Sequence, residues 1–155
     1  MNIEFELNSQ PVKVEVSPEQ RLLDVLRDKF EIKSLKEGCG EGECGACSVL
    51  LDDKAVASCI LPMGKVHGRK VETVEGLSGS SNYETIQQAF KKSGAVQCGF
   101  CTPGMVISTE ALLRENINPT EENIKTAISG NLCRCTGYKM ILDGIRLAIQ
   151  KREVK

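Results

Sequence analysis

The stretch EGCGEGECGACSVLLD, residues 37–52, alternates cysteines with glycines and then continues into a short apolar run. Its three cysteines are Cys39, Cys44 and Cys47. Glycines stand on either side of them, and a glycine lets the backbone adopt positive φ and approach a bound group closely. The stretch therefore predicts a loop that folds over a group held by thiolates and then leads into a β-strand.

The spacing of these cysteines is C-x4-C-x2-C, and Cys59 follows beyond the apolar run. This pattern is that of plant-type 2Fe–2S sites. A Rieske centre needs two histidines, whereas the chain has only His67, which we interpret as a solvated loop residue. Structural zinc sites usually present two C-x2–4-C pairs, and a thioredoxin-like use of Cys44 and Cys47 would leave Cys39 without a role. The first group therefore predicts a 2Fe–2S cluster.

A second group of cysteines lies in the C-terminal half, as C-x2-C at Cys98 and Cys101 and as C-x-C at Cys133 and Cys135. Spacing alone makes this a four-thiolate site of uncertain metal, with zinc as a serious alternative to iron. Both pairs precede segments that are predicted to be helices. If the two helix starts abut, their positive dipole ends would face an anionic cluster.

Charge and hydropathy exclude several functional classes. Lys and Arg number 20 against 21 Asp and Glu among the 155 residues, so no basic face for nucleic acid is expected. No apolar run approaches the roughly 18 residues of a membrane span, and the N-terminus begins with a strand pattern rather than a signal peptide. We therefore expect a cytoplasmic protein whose thiols stay reduced, so that the eight cysteines are metal ligands rather than disulfides.

Two kinds of hydrophobic periodicity divide the chain and indicate the α+β class. Ile3, Phe5 and Leu7 alternate with polar residues, which predicts one strand of a β-hairpin. Ser17 is expected to cap a following helix, with Gln20 completing a capping box. Further strands are predicted at residues 48–51, 55–58 and 70–74, and helices at 83–92, 103–115, 121–129 (capped by Thr120) and 138–151.

Three strings carry a resemblance to a known family: EGCGEGECGACSVLLD, GAVQCGFCTPGMV and GNLCRCTGY. They resemble the small iron–sulfur subunit of the molybdenum hydroxylases, the xanthine dehydrogenase and aldehyde oxidoreductase family. The resemblance spans nearly the whole chain. It implies an N-terminal β-grasp, plant-type ferredoxin-like domain at residues 1–76, a linker at 77–82 and a C-terminal four-helix-bundle domain at 83–155. Each domain would hold one 2Fe–2S cluster, so the second group would bind iron.

The resemblance also implies roles for individual residues. Ligands of the cluster distal from molybdenum match Cys39, Cys44, Cys47 and Cys59, and ligands of the proximal cluster match Cys98, Cys101, Cys133 and Cys135. Gln97 and Cys135 match positions that lie against the molybdopterin in the family. Alternatively, the Gln97 amide satisfies only its own loop. Arg134 has no assigned role.

For function, the resemblance implies an electron relay without catalysis by this chain alone. Electrons would pass from a molybdopterin centre on a large subunit, through both 2Fe–2S clusters, to FAD on a medium subunit or to another acceptor. The assembly would be a heteromer, for example a dimer of heterotrimers, that acts on an N-heterocycle such as a purine or nicotinate. Two alternatives stay open: a free-standing two-cluster electron carrier and a zinc-stapled interaction module.

Overall fold

The N-terminal half of the computed structural model, which describes residues 1–153, is a mixed five-stranded sheet with one helix against it. Its elements are β1 (Asn2–Leu7), β2 (Gln10–Glu15), α1 (Leu22–Asp28), β3 (Ser48–Leu51), β4 (Lys54–Ala57) and β5 (Lys70–Glu72). The strands follow the order β2-β1-β5-β3-β4. β1 pairs with β5 in parallel, and the other neighbours are antiparallel. This arrangement confirms the predicted β-grasp, ferredoxin-like half.

The first hairpin forms as its alternation predicts. Ile3, Phe5 and Leu7 are buried in the same apolar cluster as the side chains of α1. Asn8 and Ser9 close the hairpin with φ values of 50° and 66°. A two-residue turn of this kind matches the right-handed twist of the two strands that it joins. The buried face of β1 therefore fixes the register of the hairpin.

The helix start predicted at Ser17, with its capping box at Gln20, is wrong. The helix α1 begins only at Leu22, and its N-cap residue Arg21 makes no side-chain cap. The reason is a long-range backbone pairing, in which the Leu22 N–H donates to the Leu61 carbonyl oxygen at 2.8 Å. Arg21 lies in an isolated β-bridge beside this bond. The pairing holds Arg21 in an extended conformation, so the helix cannot begin ahead of this residue.

Four helices form the C-terminal half, as predicted: α2 (Ser81–Ser93), α3 (Thr102–Glu115), α4 (Glu121–Ala127) and α5 (Lys139–Glu153). Thr120 caps α4 as expected, since its hydroxyl accepts from the Asn123 N–H at 3.2 Å. The helix α2 begins ahead of its predicted start at Tyr83, because the Ser80 hydroxyl accepts from the Tyr83 N–H. None of the helices within residues 1–153 has the length and apolar character needed to cross a membrane.

The strand β3 belongs to both halves of the molecule. Two apolar clusters are present, one between the sheet and α1 and the other among the helices. Val49 and Leu51 lie in the sheet cluster and Leu50 in the helical cluster, and each such burial contributes about 1.5–3 kcal/mol. Leu77, within the segment predicted as a linker, is also buried in the helical cluster. The halves therefore share buried surface, and the domain boundary at residues 77–82 stays a prediction.

Arg114 of α3 also joins the two halves. Its guanidinium donates to both carboxylate oxygens of Glu72 at 2.6 and 3.2 Å, and to Asp53 at 2.5 Å, on the sheet side. On its own helix it donates at 2.8 Å to Glu110, which is only 2% exposed. The Glu72 contact is the largest cause that raises the pKa of Arg114 above its ordinary value. A buried carboxylate such as Glu110 is tolerated because a cation is paired with it.

Replacement of Arg114 by Met is expected to lower stability, because it leaves the Glu110 carboxylate buried without a cation beside it. Loss of one partner of a buried pair costs about 3 kcal/mol, which lowers the melting temperature of a protein of this size by about 6–12 °C. Thermal unfolding followed by circular dichroism measures the change.

The matched control is Lys139→Met, which removes an exposed ion pair with Asp143 at 2.9 Å. Exposed pairs of this kind contribute little, so we expect a change below about 0.5 kcal/mol. Equal falls in melting temperature for Arg114→Met and Lys139→Met would contradict the role assigned to Arg114.

Candidate metal centres

The first cysteine loop, which lies between α1 and β3, directs three backbone N–H groups at one sulfur. The N–H groups of Glu41, Glu43 and Cys44 lie 3.4, 3.3 and 3.4 Å from Cys39 Sγ. These donors, with Glu41 contributing most, lower the pKa of the Cys39 thiol to about 7. Gly42 allows the loop to turn, with φ of 79°. A concave set of N–H groups stabilises an anionic sulfur, as in a thiolate ligand.

Two thiols of the first group, those of Cys47 and Cys59, are buried. Cys47 directly precedes β3, Cys59 lies in the turn after β4, and each is 2% exposed. Burial raises the pKa of the Cys59 thiol to about 11, and its contact with Cys47 adds to the effect. A bound metal cation has the opposite influence, because it deprotonates the thiols that coordinate it. Cys59 is therefore a donor whose ionisation requires a cation.

The thiols of the first group meet in two pairs that face one another. Cys39 lies near Cys44, Cys47 lies near Cys59, and Cys39 is close enough to Cys59 to influence the ionisation of its thiol. No three His, Cys, Asp or Glu side chains within residues 1–153 converge on one single-ion position. A 2Fe–2S cluster takes two thiolates at each of its two irons. Two facing pairs are the donor arrangement that such a cluster requires.

The second group forms pairs in the same way. Cys135 contacts Cys98, and Cys101 contacts Cys133. Burial, together with the contact to Cys133, raises the pKa of the Cys101 thiol to about 12. The contact with Cys98 likewise raises the pKa of Cys135. Cys101 is the residue directly before α3, which confirms the prediction that this pair of cysteines opens a helix.

Two side chains of the turn before α5 hold Cys133. The Thr136 hydroxyl donates to Cys133 Sγ at 3.1 Å, and the Tyr138 hydroxyl oxygen accepts from the Cys133 N–H at 3.0 Å. The Tyr138 N–H in turn donates to Thr136 Oγ1 at 3.2 Å. Burial raises the pKa of Cys133, but the Thr136 donors and the backbone of Cys135 together outweigh it, so the net pKa is lowered. Neither role was predicted, although both residues belong to the string that carries Cys133.

The two cysteine loops touch through their backbones. The Leu132 N–H donates to the Cys44 carbonyl oxygen at 2.9 Å. Cys44 belongs to the first group, and Leu132 is directly followed by Cys133 of the second group. A path of covalent bonds with a single hydrogen bond in it therefore joins a thiol of one group to a thiol of the other.

Exposed residues neighbour the second group along the chain. Cys98 and Cys135 are themselves exposed. Four large apolar side chains close to the second group along the chain are also exposed, and we call them the apolar rim: Val96, Phe100, Leu132 and Met140. Gln97 and Arg134 are exposed in the same region. The Gln97 amide is thus accessible to a molecule that covers this surface.

His67 lies apart from both groups of cysteines, in the loop before β5. Its side chain is exposed, and its Nδ1 accepts a hydrogen bond from the Glu4 N–H at 3.2 Å. A ligand of a Rieske-type centre would have to lie among the cysteines. The interpretation of His67 as a solvated loop residue is confirmed.

Comparison with known proteins matches both halves of the chain to iron–sulfur domains. Residues 5–76 match the family described as 2Fe-2S iron-sulfur cluster binding domain, and residues 73–146 match the [2Fe-2S] binding domain. The nicotinate dehydrogenase small FeS subunit of Eubacterium barkeri is 44% identical over 151 residues, which cover 97% of this chain and 96% of that protein. The chain belongs to the small iron–sulfur subunits of the molybdenum hydroxylases.

Two further relatives of this iron–sulfur subunit agree in length and in fold. The xanthine dehydrogenase iron-sulfur-binding subunit of Escherichia coli O157:H7 is 41% identical over a match that covers 94% of this chain and 92% of that protein. The crystal structure of quinoline 2-oxidoreductase from Pseudomonas putida 86 superposes with a TM-score of 0.89 at 36% identity, over 99% of this chain and 96% of that chain. The subunit thus carries two 2Fe–2S clusters and transfers electrons within an oxidoreductase. This result favours the relay over both the zinc module and the free-standing carrier.

Proposed function

We propose that the facing thiol pairs in each group are the ligands of the two clusters. The distal cluster is assigned to Cys39, Cys44, Cys47 and Cys59, and the proximal cluster to Cys98, Cys101, Cys133 and Cys135. The observation that carries this proposal is that hydrogen-bond donors are directed at a sulfur in each group: three backbone N–H groups at Cys39 Sγ, and the Thr136 hydroxyl at Cys133 Sγ. We also propose a cytoplasmic location, where thiols stay reduced and remain available as cluster ligands.

The function that we infer is an electron relay from the molybdopterin centre of a large subunit to FAD or another acceptor. When bound, the two clusters accept and release one electron at a time. The residues of this chain supply the path for electrons between the clusters and shield the first cluster from water. The hydrogen bond from Leu132 to Cys44 links the two groups, while the sheet cluster encloses Cys47 and Cys59. Electrons enter at the exposed second group and leave through the first.

The apolar rim supports docking of the large subunit at the second group. Its four large apolar side chains are exposed, and such side chains become buried where a partner protein covers them. Gln97 is exposed and stands between Val96 and Cys98 in the chain, and we propose that its amide, together with Cys135, contacts the molybdopterin. The assembly is then a heteromer of this chain, a large molybdopterin-binding subunit and a medium FAD-binding subunit, for which we propose a dimer of heterotrimers.

The proposed substrate class of the complex is an N-heterocycle. Three relatives are named for nicotinate, xanthine and quinoline, and each of these compounds contains nitrogen within an aromatic ring system. Nicotinate is the first compound to test, and a purine is the second. The pocket that selects between them belongs to the large subunit in this proposal, so no residue of this chain is assigned to specificity.

The complex purified through this chain is expected to contain about four irons and four acid-labile sulfides per chain, because eight thiolates serve two clusters. Electron spin resonance of the complex reduced with dithionite, which supplies electrons to each cluster independently of the substrate, is expected to show two distinct cluster signals. Cys101→Ala is expected to remove only the proximal signal, and Cys47→Ala only the distal one. Zinc in place of iron, or a single cluster signal in the parent complex, would contradict the ligand assignment.

Replacement of Gln97 by Ala is expected to leave both cluster signals intact, since this exposed residue is not a ligand. Loss of its contact is expected to slow reduction of the proximal cluster by substrate about tenfold, a usual cost of removing a supporting hydrogen bond near a metal centre. Rapid mixing followed by freeze-quench spin resonance measures the rate. The control is Gln88→Ala, an exposed glutamine on α2, and equal rates in the two variants would refute the contact.

Replacement of Thr136 by Val is expected to lower the reduction potential of the proximal cluster. Reduction adds negative charge, which the Thr136 hydroxyl stabilises by donating to Cys133 Sγ. A redox titration followed by spin resonance measures the shift, with the distal signal as an internal reference. Thr136→Ser keeps the hydroxyl and is expected to keep the parent potential. Identical potentials for the Val and Ser variants would show that the hydroxyl has no such effect.

A further inference from the structure

The contact between the two cysteine loops is closely packed against α3. Gly45 follows Cys44 in the first loop, and a Cβ atom there would overlap the Gly130 carbonyl oxygen and the Asn131 amide. A Cβ atom on Gly104 of α3 would overlap the Gly45 carbonyl oxygen. The first loop, the second loop and the start of α3 therefore meet without room for a methyl group.

Asn131 lies within this contact and is bonded on both sides. Asn131 and Ser108 are only 5% and 4% exposed. The Ser108 hydroxyl of α3 donates to Asn131 Oδ1 at 2.7 Å, and Asn131 Nδ2 donates to the Gly45 carbonyl oxygen at 3.4 Å. Because Ser108 occupies the oxygen of the amide, the amino group is directed at Gly45. The side chain of Asn131 thus connects α3 to the first cysteine loop.

This side-chain bond runs beside the backbone bond between the two loops. Asn131 precedes Leu132, and Gly45 follows Cys44, so two adjacent hydrogen bonds cross from one loop to the other. Two neighbouring bonds fix the angle of the contact as well as its distance. We propose that Asn131, oriented by Ser108, is a positioning residue for electron transfer between the clusters and keeps the Leu132–Cys44 contact closed. This inference rests on the ligand assignment proposed above.

A purely structural role for Asn131 would be to satisfy the Gly45 carbonyl oxygen. That oxygen, however, also accepts from the Ser48 hydroxyl at 2.7 Å and from the Ser48 N–H at 3.2 Å. Loss of the Asn131 donor therefore leaves no unpaired acceptor inside the first loop. Loss of this donor therefore weakens only the contact between the two cysteine loops.

The test uses the complex with both clusters present and reduced. Low-temperature spin resonance measures the splitting of the two cluster signals, which arises from the magnetic interaction between neighbouring clusters. Asn131→Asp keeps the acceptor for Ser108 but places an oxygen against the Gly45 carbonyl oxygen. Ser108→Ala leaves the amide free to turn. In both variants the splitting of the spin-resonance signals is expected to be smaller than in the parent complex. After substrate is added, the signal of the distal cluster is expected to appear later, relative to that of the proximal cluster, than in the parent. The iron content is expected to be unchanged.

The matched control is Thr109→Val, because Thr109 neighbours Ser108 on α3, is fully buried and donates within its own helix to the Met105 carbonyl oxygen at 2.7 Å. This variant is expected to keep the parent splitting and the parent delay. A change in Thr109→Val as large as that in Ser108→Ala would overturn the proposal.

Parent-like splitting and parent-like delay in both Asn131→Asp and Ser108→Ala would also overturn it. So would loss of iron from Asn131→Asp combined with parent-like splitting in Ser108→Ala, which would make Asn131 a structural residue only. Failure of the ligand assignment is distinguishable from these outcomes, because it would appear in the parent complex as a missing cluster signal.

Discussion

The hydrogen bond from the Leu132 N–H to the Cys44 carbonyl oxygen, 2.9 Å long, requires two backbones to approach with no side chain between them. Glycine is the residue that permits such an approach, and both Gly45 and Gly104 lack the Cβ that would block it. The helix α3 supports the contact from one side. Further along the same helix, Arg114 holds the sheet through its carboxylate partners. One helix therefore contacts the N-terminal half at two separate points, the first cysteine loop and the sheet.

The two groups of thiols differ in their surroundings, and the difference suits a relay. The first group combines the N–H donors around Cys39 with the buried pair of Cys47 and Cys59, so that two of its four thiols are buried and none is fully exposed. The second group leaves Cys98 and Cys135 at the surface. A partner can approach the second group closely without rearrangement of the chain. This difference in exposure suits electron transfer in one direction, from the exposed second group to the first group.

Local patterns predicted most of the helices and strands and the C-x4-C-x2-C loop, because strand alternation, helix caps and ligand spacing within a loop operate over a few residues. The Thr120 cap and the pair before α3 are examples. The helix start at Ser17 failed because pairing with Leu61 overrides a local cap. Asn131 escaped prediction for a similar reason, since its partner Gly45 lies 86 positions away in the sequence. Periodicity carries no information about contacts of that range.

The position of β3 has a consequence for how the molecule loses its structure. This strand supplies Leu50 to the helical cluster and Val49 to the sheet cluster, and Cys47 directly precedes it. Unfolding of either half would expose the apolar cluster of the other half to water. A partially unfolded state that separates the two halves at β3 is therefore high in free energy. Cooperativity of this kind ties the lifetimes of the two metal centres together. A subunit that has lost one of them by unfolding has lost the scaffold of both.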